Sequence, residues 1–237
     1  MFNTVALWEQ SRIPTFEWEG KEIRSTNRAT YQLLLDYRED ISFSDYHLAC
    51  HNITAQLQKA KRDKGIEVSS TQRYFTILES LTFAQPTVMR DLADLAAAAH
   101  MTILEQATTI PDAHIKTLKS LSEQYKIGLV SNFDDTKTAK KILNEHQIES
   151  FFQSVVISEE FGYRKPSPSI FKAALSNLAT YPKEALFVGD SWDEDVIGAT
   201  SSGIDAIWVN PTKLTTPVEY LSSVSSIQSI TELPKFL

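Results

Sequence analysis

The spacing of apolar residues changes near Thr109. Before this residue, apolar side chains recur every three or four positions, which is the period of a helix with one buried face. Ser44 and Ser69 are typical of a helix start, and Gly65 is typical of a helix end. The first part of the chain therefore predicts a helical bundle over residues 10–108, with helices at 26–40, 44–64, 69–82 and 87–107.

Short apolar runs alternate with helical segments after Thr109. The runs lie at 127–132, 155–158, 185–190 and 205–209, and the helical segments lie at 111–124, 135–146, 168–178 and 193–202. This alternation predicts an α/β fold, in which helices cover both faces of a parallel sheet. We assign residues 109–237, together with 1–9, to this core domain. The tail at 222–237 is predicted to add an edge strand or a closing helix.

The charge composition of the chain argues against a nucleic-acid partner. The chain has 237 residues, of which 42% are hydrophobic and 22% charged, and its net charge is -7. A nucleic-acid binder needs clustered Lys and Arg. The one basic cluster, at 59–64, precedes Gly65 and suits the last turn of a helix. We therefore expect no nucleic-acid partner.

The N-terminal residues and the cysteine content indicate a compartment. The single cysteine, Cys50, excludes an internal disulfide framework and is typical of a reducing environment. No signal-peptide pattern precedes the helices, and no apolar run approaches the roughly 20 residues that span a bilayer. We predict a cytoplasmic protein without a membrane partner, and these features leave its oligomeric state open.

Polar residues of catalytic type follow the predicted strands in a fixed order. Ser131 and Asn132 end the first strand, and Lys165 lies in a loop between strands. Asp190 ends a later strand, and Asp195 lies in the acidic turn that follows it. The carboxyl ends of parallel strands meet at one edge of a sheet, so these side chains are expected at one rim.

Each of these residues also has an ordinary structural interpretation. Ser131 and Asn132 then cap a helix, Lys165 is an exposed loop lysine, and the acids at 193–195 complement a helix dipole. Singly, each such interpretation is at least as good as a catalytic one. Taken together, the three groups favour a functional site over these ordinary interpretations. They are a hydroxyl, an ammonium and a carboxylate, and they occur in this order at one rim of the sheet.

The order of these motifs resembles that of the haloacid dehalogenase (HAD) superfamily. Its second motif is a strand ending in Ser or Thr, its third is a Lys, and its fourth is Gly-Asp followed by a further acid. Ser131, Lys165 and Gly189-Asp190 with Asp195 match these motifs. The resemblance implies a Rossmann-like core, and it implies that residues 10–108 are a helical cap of the kind that one subgroup inserts after its first motif.

The resemblance also implies roles for these residues. Ser131 and Lys165 would be catalytic, and Ser131, Asn132 and Lys165 would contact the substrate's phosphoryl group. Asp190 would ligate Mg²⁺, and Asp195 would support the metal or Lys165. Phosphoryl transfer spreads negative charge over three oxygens, which a divalent cation, an ammonium and fixed donors stabilise.

The function that the resemblance implies is Mg²⁺-dependent hydrolysis of a small phosphorylated metabolite through an aspartyl-phosphate. A catalytically inactive HAD-like module, which binds a phosphorylated ligand or a protein, is the alternative. Dehalogenase activity is less favoured than phosphatase activity, because the dehalogenase branch uses no metal and typically lacks the carboxylate matched by Asp190.

The first motif of the family, a strand ending in Asp-x-Asp-x-Thr, does not occur in the sequence. Residues 1–7 resemble its continuation, so we expect the nucleophile and the central first strand of the sheet to lie ahead of Met1. By that expectation the chain as sequenced is inactive. A late start site, a truncated gene and a true pseudoenzyme remain the explanations.

Two weaker features have ordinary interpretations that we favour. His47, Cys50 and His51 lie within about one turn, which suits a zinc site or simply a cap helix. Trp8, Phe16 and Trp18 belong to a substrate-facing loop or fill the core. We favour an ordinary helix and core packing.

Overall fold

The computed structural model describes residues 1–83, 86–215, 217 and 224–237. The chain divides into two compact units, one formed by Glu9–Thr108 and the other by Met1–Trp8 with Thr109–Leu237. We call them the helical unit and the core unit. Helices dominate the first and strands alternate with helices in the second, so the predicted α/β class with a helical segment is confirmed.

The helical unit consists of a small hairpin followed by four helices. Its elements are a 3-10 helix Gln10–Arg12, strands β1 (Thr15–Trp18) and β2 (Lys21–Arg24), and helices α1 (Asn27–Leu35), α2 (Phe43–Lys64), α3 (Ser70–Ser80) and α4 (Pro86–Gln106). Apolar faces meet at Leu34, Tyr46, Tyr74 and Leu92, each 1% exposed. Fully burying one such side chain stabilises the fold by about 1.5–3 kcal/mol.

Local signals set the helix ends, with one correction. The Ser69 hydroxyl accepts a hydrogen bond from the Gln72 N–H and caps α3, as predicted. Gly65 ends α2 with a φ of 65°, a left-handed conformation that glycine adopts without a steric penalty. The predicted cap Ser44 is wrong, because Ser42 performs this role and Ser44 lies inside the helix.

The β1–β2 hairpin was not among the predicted elements. Its strands are antiparallel, with Phe16 opposite Ile23. Glu19 and Gly20 both have positive φ, 50° and 72°, the requirement of a two-residue turn that matches strand twist. The segment expected as a loop or core filler therefore forms a two-stranded ribbon, in which Phe16 is buried.

The core unit contains the predicted parallel strands. Strands β3 (Gly128–Ser131), β4 (Ser154–Ile157), β5 (Leu186–Gly189), β6 (Asp205–Val209) and β7 (Ser225–Ile227) accompany helices α5 (Asp112–Ser122), α6 (Thr136–Glu145), α7 (Ser158–Phe161), α8 (Pro168–Leu178) and α9 (Gly198–Ser201). A π-helix, Trp192–Ile197, precedes α9, and 3-10 helices occur at Glu149–Phe151, Pro182–Glu184 and Ile230–Lys235. Two-residue strands lie at Leu7–Trp8 and Thr108–Thr109.

The described residues form this sheet in two parts. β3 pairs in parallel with β4, and β5 pairs in parallel with β6, which pairs in parallel with β7. A cavity of about 640 Å³ is lined by residues of both β3 and β5. The two parts therefore flank an open space.

The tail joins the core unit through both of the predicted kinds of element. β7 adds an edge strand, and the 3-10 helix Ile230–Lys235 follows it. Ser222 and Ser223, where the predicted tail begins, lie outside the described residues. His114 of α5 ties two distant segments together, since Nδ1 lies 2.9 Å from the Val5 carbonyl oxygen and Nε2 lies 3.0 Å from Ser229 Oγ.

Among the described residues, no helix combines the length and the apolar character that crossing a bilayer requires.

Candidate active site

Ser131 and Asp190 stand at the carboxyl ends of two strands in the core unit. Ser131 is the last residue of β3, lies opposite Ile157 of β4, and is 2% exposed. Asp190 directly follows β5 and is half-buried. Continuous apolar runs form the strands because both faces of a parallel sheet are covered. Each run ends where a polar residue reaches the rim.

Lys165 lies between these strand ends, with only 6% of its surface exposed. Its Nζ donates hydrogen bonds to Asp195 Oδ1 at 2.5 Å and to the Val130 carbonyl oxygen at 3.2 Å. The same ammonium lies 5.4 Å from the centre of the Phe187 ring, within cation–π range. Lys165 therefore links β3 with β5, and its buried charge is compensated on both sides.

Asp195 is 3% exposed, and both of its carboxylate oxygens accept hydrogen bonds. Oδ1 accepts from Lys165, and Oδ2 accepts from the Ser191 N–H at 2.9 Å. A Cβ at Gly189 would lie 2.3 Å from Oδ2, so glycine is required beside this carboxylate. Of the two roles expected for Asp195, this geometry favours support of Lys165 over support of a metal.

Asp190 is held by two long-range contacts. The Thr4 hydroxyl donates to Asp190 Oδ1 at 3.0 Å, and the indole N–H of Trp208 donates to the Asp190 carbonyl oxygen at 2.9 Å. These contacts fix one carboxylate oxygen and the backbone. They orient the side chain at the end of β5.

The donor set at this rim suits Mg²⁺ better than a metal that needs a full protein cage. Mg²⁺ is commonly held by one or two carboxylates, waters and substrate phosphate oxygens. Asp190 offers one such carboxylate. Within the described residues, no group of three or more His, Cys, Asp or Glu side chains could hold a metal ion. A cation here would therefore share its ligands with the substrate.

Asn132 contacts the Lys165 backbone from both sides. Its Oδ1 accepts from the Lys165 N–H at 2.8 Å, and its Nδ2 donates to the Lys165 carbonyl oxygen at 3.0 Å. Nδ2 also donates to Glu194 at 2.9 Å. The side chain that the resemblance assigns to substrate contact is thus engaged with the Lys165 loop in this structure.

Sequence reasoning missed the residues that hold this loop. The Arg164 guanidinium lies 2.7 Å from Glu194 Oε1, with 12% and 31% of the two side chains exposed. Arg164 and Glu194 lie next to Lys165 and Asp195 in the sequence, and that adjacency was the only available signal. No sequence signal pointed to Thr4, because 186 positions separate it from Asp190.

The zinc interpretation of α2 gains no support from the structure. The His47 Nδ1 accepts from Asn27 Nδ2 at 2.9 Å, and the imidazole packs edge-on against Trp18. Burial, and secondly the neighbouring His51, lower the pKa of His47. Burial raises the pKa of the Cys50 thiol to about 12. These side chains serve the packing of the helical unit, as favoured.

Curated relatives of this chain are named as phosphatases. The chain is 33% identical over 141 residues to glyceraldehyde 3-phosphate phosphatase of Pyrococcus furiosus, a match that covers 59% of this chain and 58% of the relative. It is 27% identical over 190 residues to ribulose-1,5-bisphosphate 5-phosphatase of Halopiger xanaduensis, covering 79% of each. Matches to the first four relatives span 46% to 66% of their length.

Solved structures share the fold. A 2-haloacid dehalogenase of Pseudomonas syringae superposes with a TM-score of 0.71 at 19% identity, covering 99% of this chain and 94% of that one. The HAD-hydrolase YfnB of Bacillus subtilis, solved with magnesium bound, gives 0.61 at 20% identity, covering 90% and 91%. At such identities the likeness establishes the fold alone.

A family model decides the assignment. The model described as haloacid dehalogenase-like hydrolase matches residues 33–209, which is more than half of the chain and includes Ser131, Lys165, Asp190 and Asp195. The chain belongs to the haloacid dehalogenase-like hydrolase family.

Proposed function

We propose that this chain carries the phosphate- and Mg²⁺-binding rim of a Mg²⁺-dependent phosphatase that acts on a small phosphorylated metabolite. The observation that carries the proposal is the buried ammonium of Lys165, which contacts Val130 at the end of β3 and Asp195 beside the end of β5. An ammonium in this position supports an anion site at the rim. The names of the relatives support phosphate as the anion.

The charges at the rim argue for the cation. Lys165 and Asp195 form a pair without net charge, and Asp190 adds one negative charge. A phosphate group would be repelled by Asp190 unless a cation lay between them. Mg²⁺ held by Asp190 would remove this repulsion and, when bound, would neutralise charge on the transferring phosphoryl group. Mg²⁺ is therefore the proposed cofactor.

Side chains of this chain take the remaining roles in phosphate binding. We assign to the Ser131 hydroxyl a hydrogen bond to a phosphoryl oxygen, and to the Lys165 ammonium a second, charge-assisted one. Asp195 orients that ammonium through its hydrogen bond. Asn132 fixes the backbone from which Lys165 extends, so its contribution to phosphate binding is indirect.

The nucleophile is not supplied by the acids already described. Hydrolysis through an aspartyl-phosphate needs a carboxylate that is free to attack phosphorus. Asp195 is bonded to Lys165, Asp190 is assigned to the cation, and the sequence contains no Asp-x-Asp-x-Thr. We therefore expect residues 1–237 to bind Mg²⁺ and phosphate without turnover.

This observation favours a second candidate function for the chain, that of an inactive HAD-like module which binds a phosphorylated ligand or a protein. The dehalogenase alternative has less support, because Asp190 gives the rim a carboxylate suited to a metal.

Calorimetric titration tests the anion site. Inorganic phosphate is titrated into the full chain with and without MgCl₂. We expect binding that requires Mg²⁺, is lost in Asp190→Asn, and is unchanged in Asp205→Asn, an exposed acid at the start of β6. Binding that ignores Mg²⁺ or survives Asp190→Asn would overturn the assignment of this rim.

Phosphate release separates the enzyme from the binding module. Glyceraldehyde 3-phosphate, ribulose 1,5-bisphosphate and an aryl phosphate are incubated with the chain and MgCl₂. We expect Mg²⁺-dependent phosphate binding without release. Turnover that is lost in Asp190→Asn would establish the phosphatase directly and refute our argument about the nucleophile.

A further inference from the structure

His114 of α5 is buried and uses both of its ring nitrogens. It is 7% exposed, its Nδ1 lies 2.9 Å from the Val5 carbonyl oxygen, and its Nε2 lies 3.0 Å from Ser229 Oγ. These partners are 109 and 115 positions away in the sequence. A buried imidazole with two such partners fixes the segments that carry them relative to α5.

The partners of His114 decide which nitrogen carries the proton of the neutral ring. A carbonyl oxygen only accepts, so Nδ1 donates to Val5. Ser229 Oγ accepts from the Thr231 N–H at 3.3 Å and from the Thr231 hydroxyl at 3.1 Å. The hydroxyl hydrogen of Ser229 is therefore left to point at Nε2, and this contact holds the ring proton on Nδ1.

Val5 belongs to a closed turn in the core unit. The Met1 carbonyl oxygen accepts from the Val5 N–H at 2.8 Å and from the Ala6 N–H at 3.0 Å. Met1, Thr4, Val5 and Ala6 are each 7% exposed or less. Because the turn is closed by its own hydrogen bonds and tightly packed, a contact to Val5 also sets the position of Thr4.

Thr4 transmits this position to Asp190. Its hydroxyl donates to Asp190 Oδ1 at 3.0 Å. Threonine is branched at Cβ and has few χ1 rotamers, so its hydroxyl follows its backbone closely. The bond from His114 to Val5 therefore helps to determine where Oδ1 lies at the end of β5.

The other contact of Asp190 leads to the same part of the chain. The Trp208 indole N–H donates to the Asp190 carbonyl oxygen at 2.9 Å, and Trp208 of β6 lies opposite Ser226 of β7. Ser229, the partner of His114, follows β7 directly in the sequence after Gln228. The tail thus reaches Asp190 by two routes, one to its backbone and one to its carboxylate.

We propose that His114 is a positioning residue for Asp190: its Nδ1–H holds the turn that carries Thr4, and Thr4 orients the carboxylate for the cation. The inference rests on the proposed function, in which Asp190 binds Mg²⁺. Removing an outer partner that orients a metal ligand typically lowers metal affinity by about 10–100-fold. His114 acts one contact further out, so we expect about a fivefold effect.

Two amide variants separate the two contacts of His114. The amide of His114→Asn reaches the position of Nδ1 and can donate to Val5, whereas the amide of His114→Gln reaches the position of Nε2 and keeps the contact with Ser229. MgCl₂ alone is titrated into the full chain, and NMR follows the Trp208 indole N–H resonance, which Trp208→Phe assigns. We expect the Kd to rise about fivefold in His114→Gln and to stay within about twofold in His114→Asn. Equal losses would assign His114 to packing and overturn the inference.

A double-variant cycle tests the route through Thr4. Thr4→Val removes the hydroxyl and keeps the shape of the side chain. If His114 acts through Thr4, His114→Gln adds nothing to the loss of affinity in Thr4→Val, so the double variant should match Thr4→Val within about twofold. Additive losses, or unchanged Mg²⁺ affinity in His114→Gln, would overturn the inference.

The Asp190 carboxyl-carbon resonance of the metal-free chain decides the case if the parent chain binds no Mg²⁺. Such a result would refute the proposed function, while the orientation of Asp190 could still be measured. We expect this resonance to move in His114→Gln and in Thr4→Val and to keep its place in His114→Asn. A resonance that none of these variants moves would overturn the inference. Ser229→Ala, which frees the proton to move from Nδ1 to Nε2, replaces His114→Gln if that variant does not fold.

Discussion

The ammonium of Lys165 lies 2.5 Å from Oδ1 of Asp195, and the two side chains are 7% and 4% exposed. Such a pair contributes little net stability when it forms, because both charges lose their hydration. Removing one partner is costly, since the other charge is then buried without compensation. The Lys165–Asp195 pair therefore adds little to the free energy of folding, but it selects the arrangement of the rim in which both charges are paired.

The first prediction concerns this pair. Asp195→Asn is expected to lower the free energy of unfolding of the core unit by about 3–5 kcal/mol, since it leaves Lys165 buried without a counter-charge. Glu160→Gln is the control, because its pair with Lys140 is exposed, at 60% and 45%, and such pairs are worth about 1 kcal/mol or less. Urea denaturation measures both. Equal costs for the two variants would contradict the buried-pair argument.

The second prediction concerns Asn132. Asn132→Ala removes the hydrogen bonds that hold the backbone of Lys165 on both sides, each worth about 0.5–1.5 kcal/mol. We expect Mg²⁺-dependent phosphate binding to weaken on the order of tenfold, measured by calorimetry. Asn177→Ala, which removes one hydrogen bond to Ser154, is the matched control and should leave phosphate affinity unchanged. If both variants bind phosphate like the parent chain, Asn132 does not position Lys165.

The third prediction is a pH dependence in the helical unit. Burial, and secondly the charge of Arg73, lower the pKa of His100 from 6.5 to about 3. Between these values the unfolded chain binds a proton that the folded chain does not, so stability is full above pH 6.5 and falls as the pH drops toward 3. The slope approaches about 1.4 kcal/mol per pH unit.

Comparison with His100→Gln isolates this group from other titrating side chains. Hydrogen exchange in α4 at pH 7 and pH 5 reports the stability of the helical unit for both proteins. We expect the parent chain to lose about 2 kcal/mol more than the variant over this interval. An equal loss in the two proteins would show that His100 titrates normally.

The fourth prediction concerns Cys50, which is 5% exposed. Burial raises the pKa of its thiol to about 12, and only the thiolate reacts with disulfide reagents. We expect labelling of the native chain at pH 8 to be at least about 100-fold slower than labelling in urea. Comparable rates would mean that this part of the helical unit opens readily.

Much of the core unit could be predicted because its signals are local. The strand at 205–209 and the helix at 168–178 have the predicted bounds. A strand covered on both faces is a continuous apolar run, and Pro168 marks the start of its helix. Ser131 and Asp190 could be placed at strand ends because each follows such a run. Their roles remain predictions.

The remaining features depend on contacts between distant residues. In the β1–β2 hairpin, Phe16 and Trp18 alternate with polar residues over only four positions, which is too short a stretch for a period of two to stand out. The predicted helix at 193–202 begins as a π-helix, Trp192–Ile197, whose wider turn no local propensity reveals. The link from Thr4 to Asp190 likewise exists only once the core unit has folded.

The close approach of Gly189 to Asp195 has a consequence for how this sequence can vary. A side chain at 189 and a carboxylate at 195 exclude one another, so substitutions at the two positions are epistatic. The Asp195 Cβ would itself lie 2.6 Å from the added atom, so Gly189→Ala should be tolerated only where position 195 has lost its whole side chain, as in Asp195→Gly, and that change releases Lys165. In a library of paired variants, a folded variant with a side chain at position 189 is therefore expected to lack Asp195, the partner of Lys165.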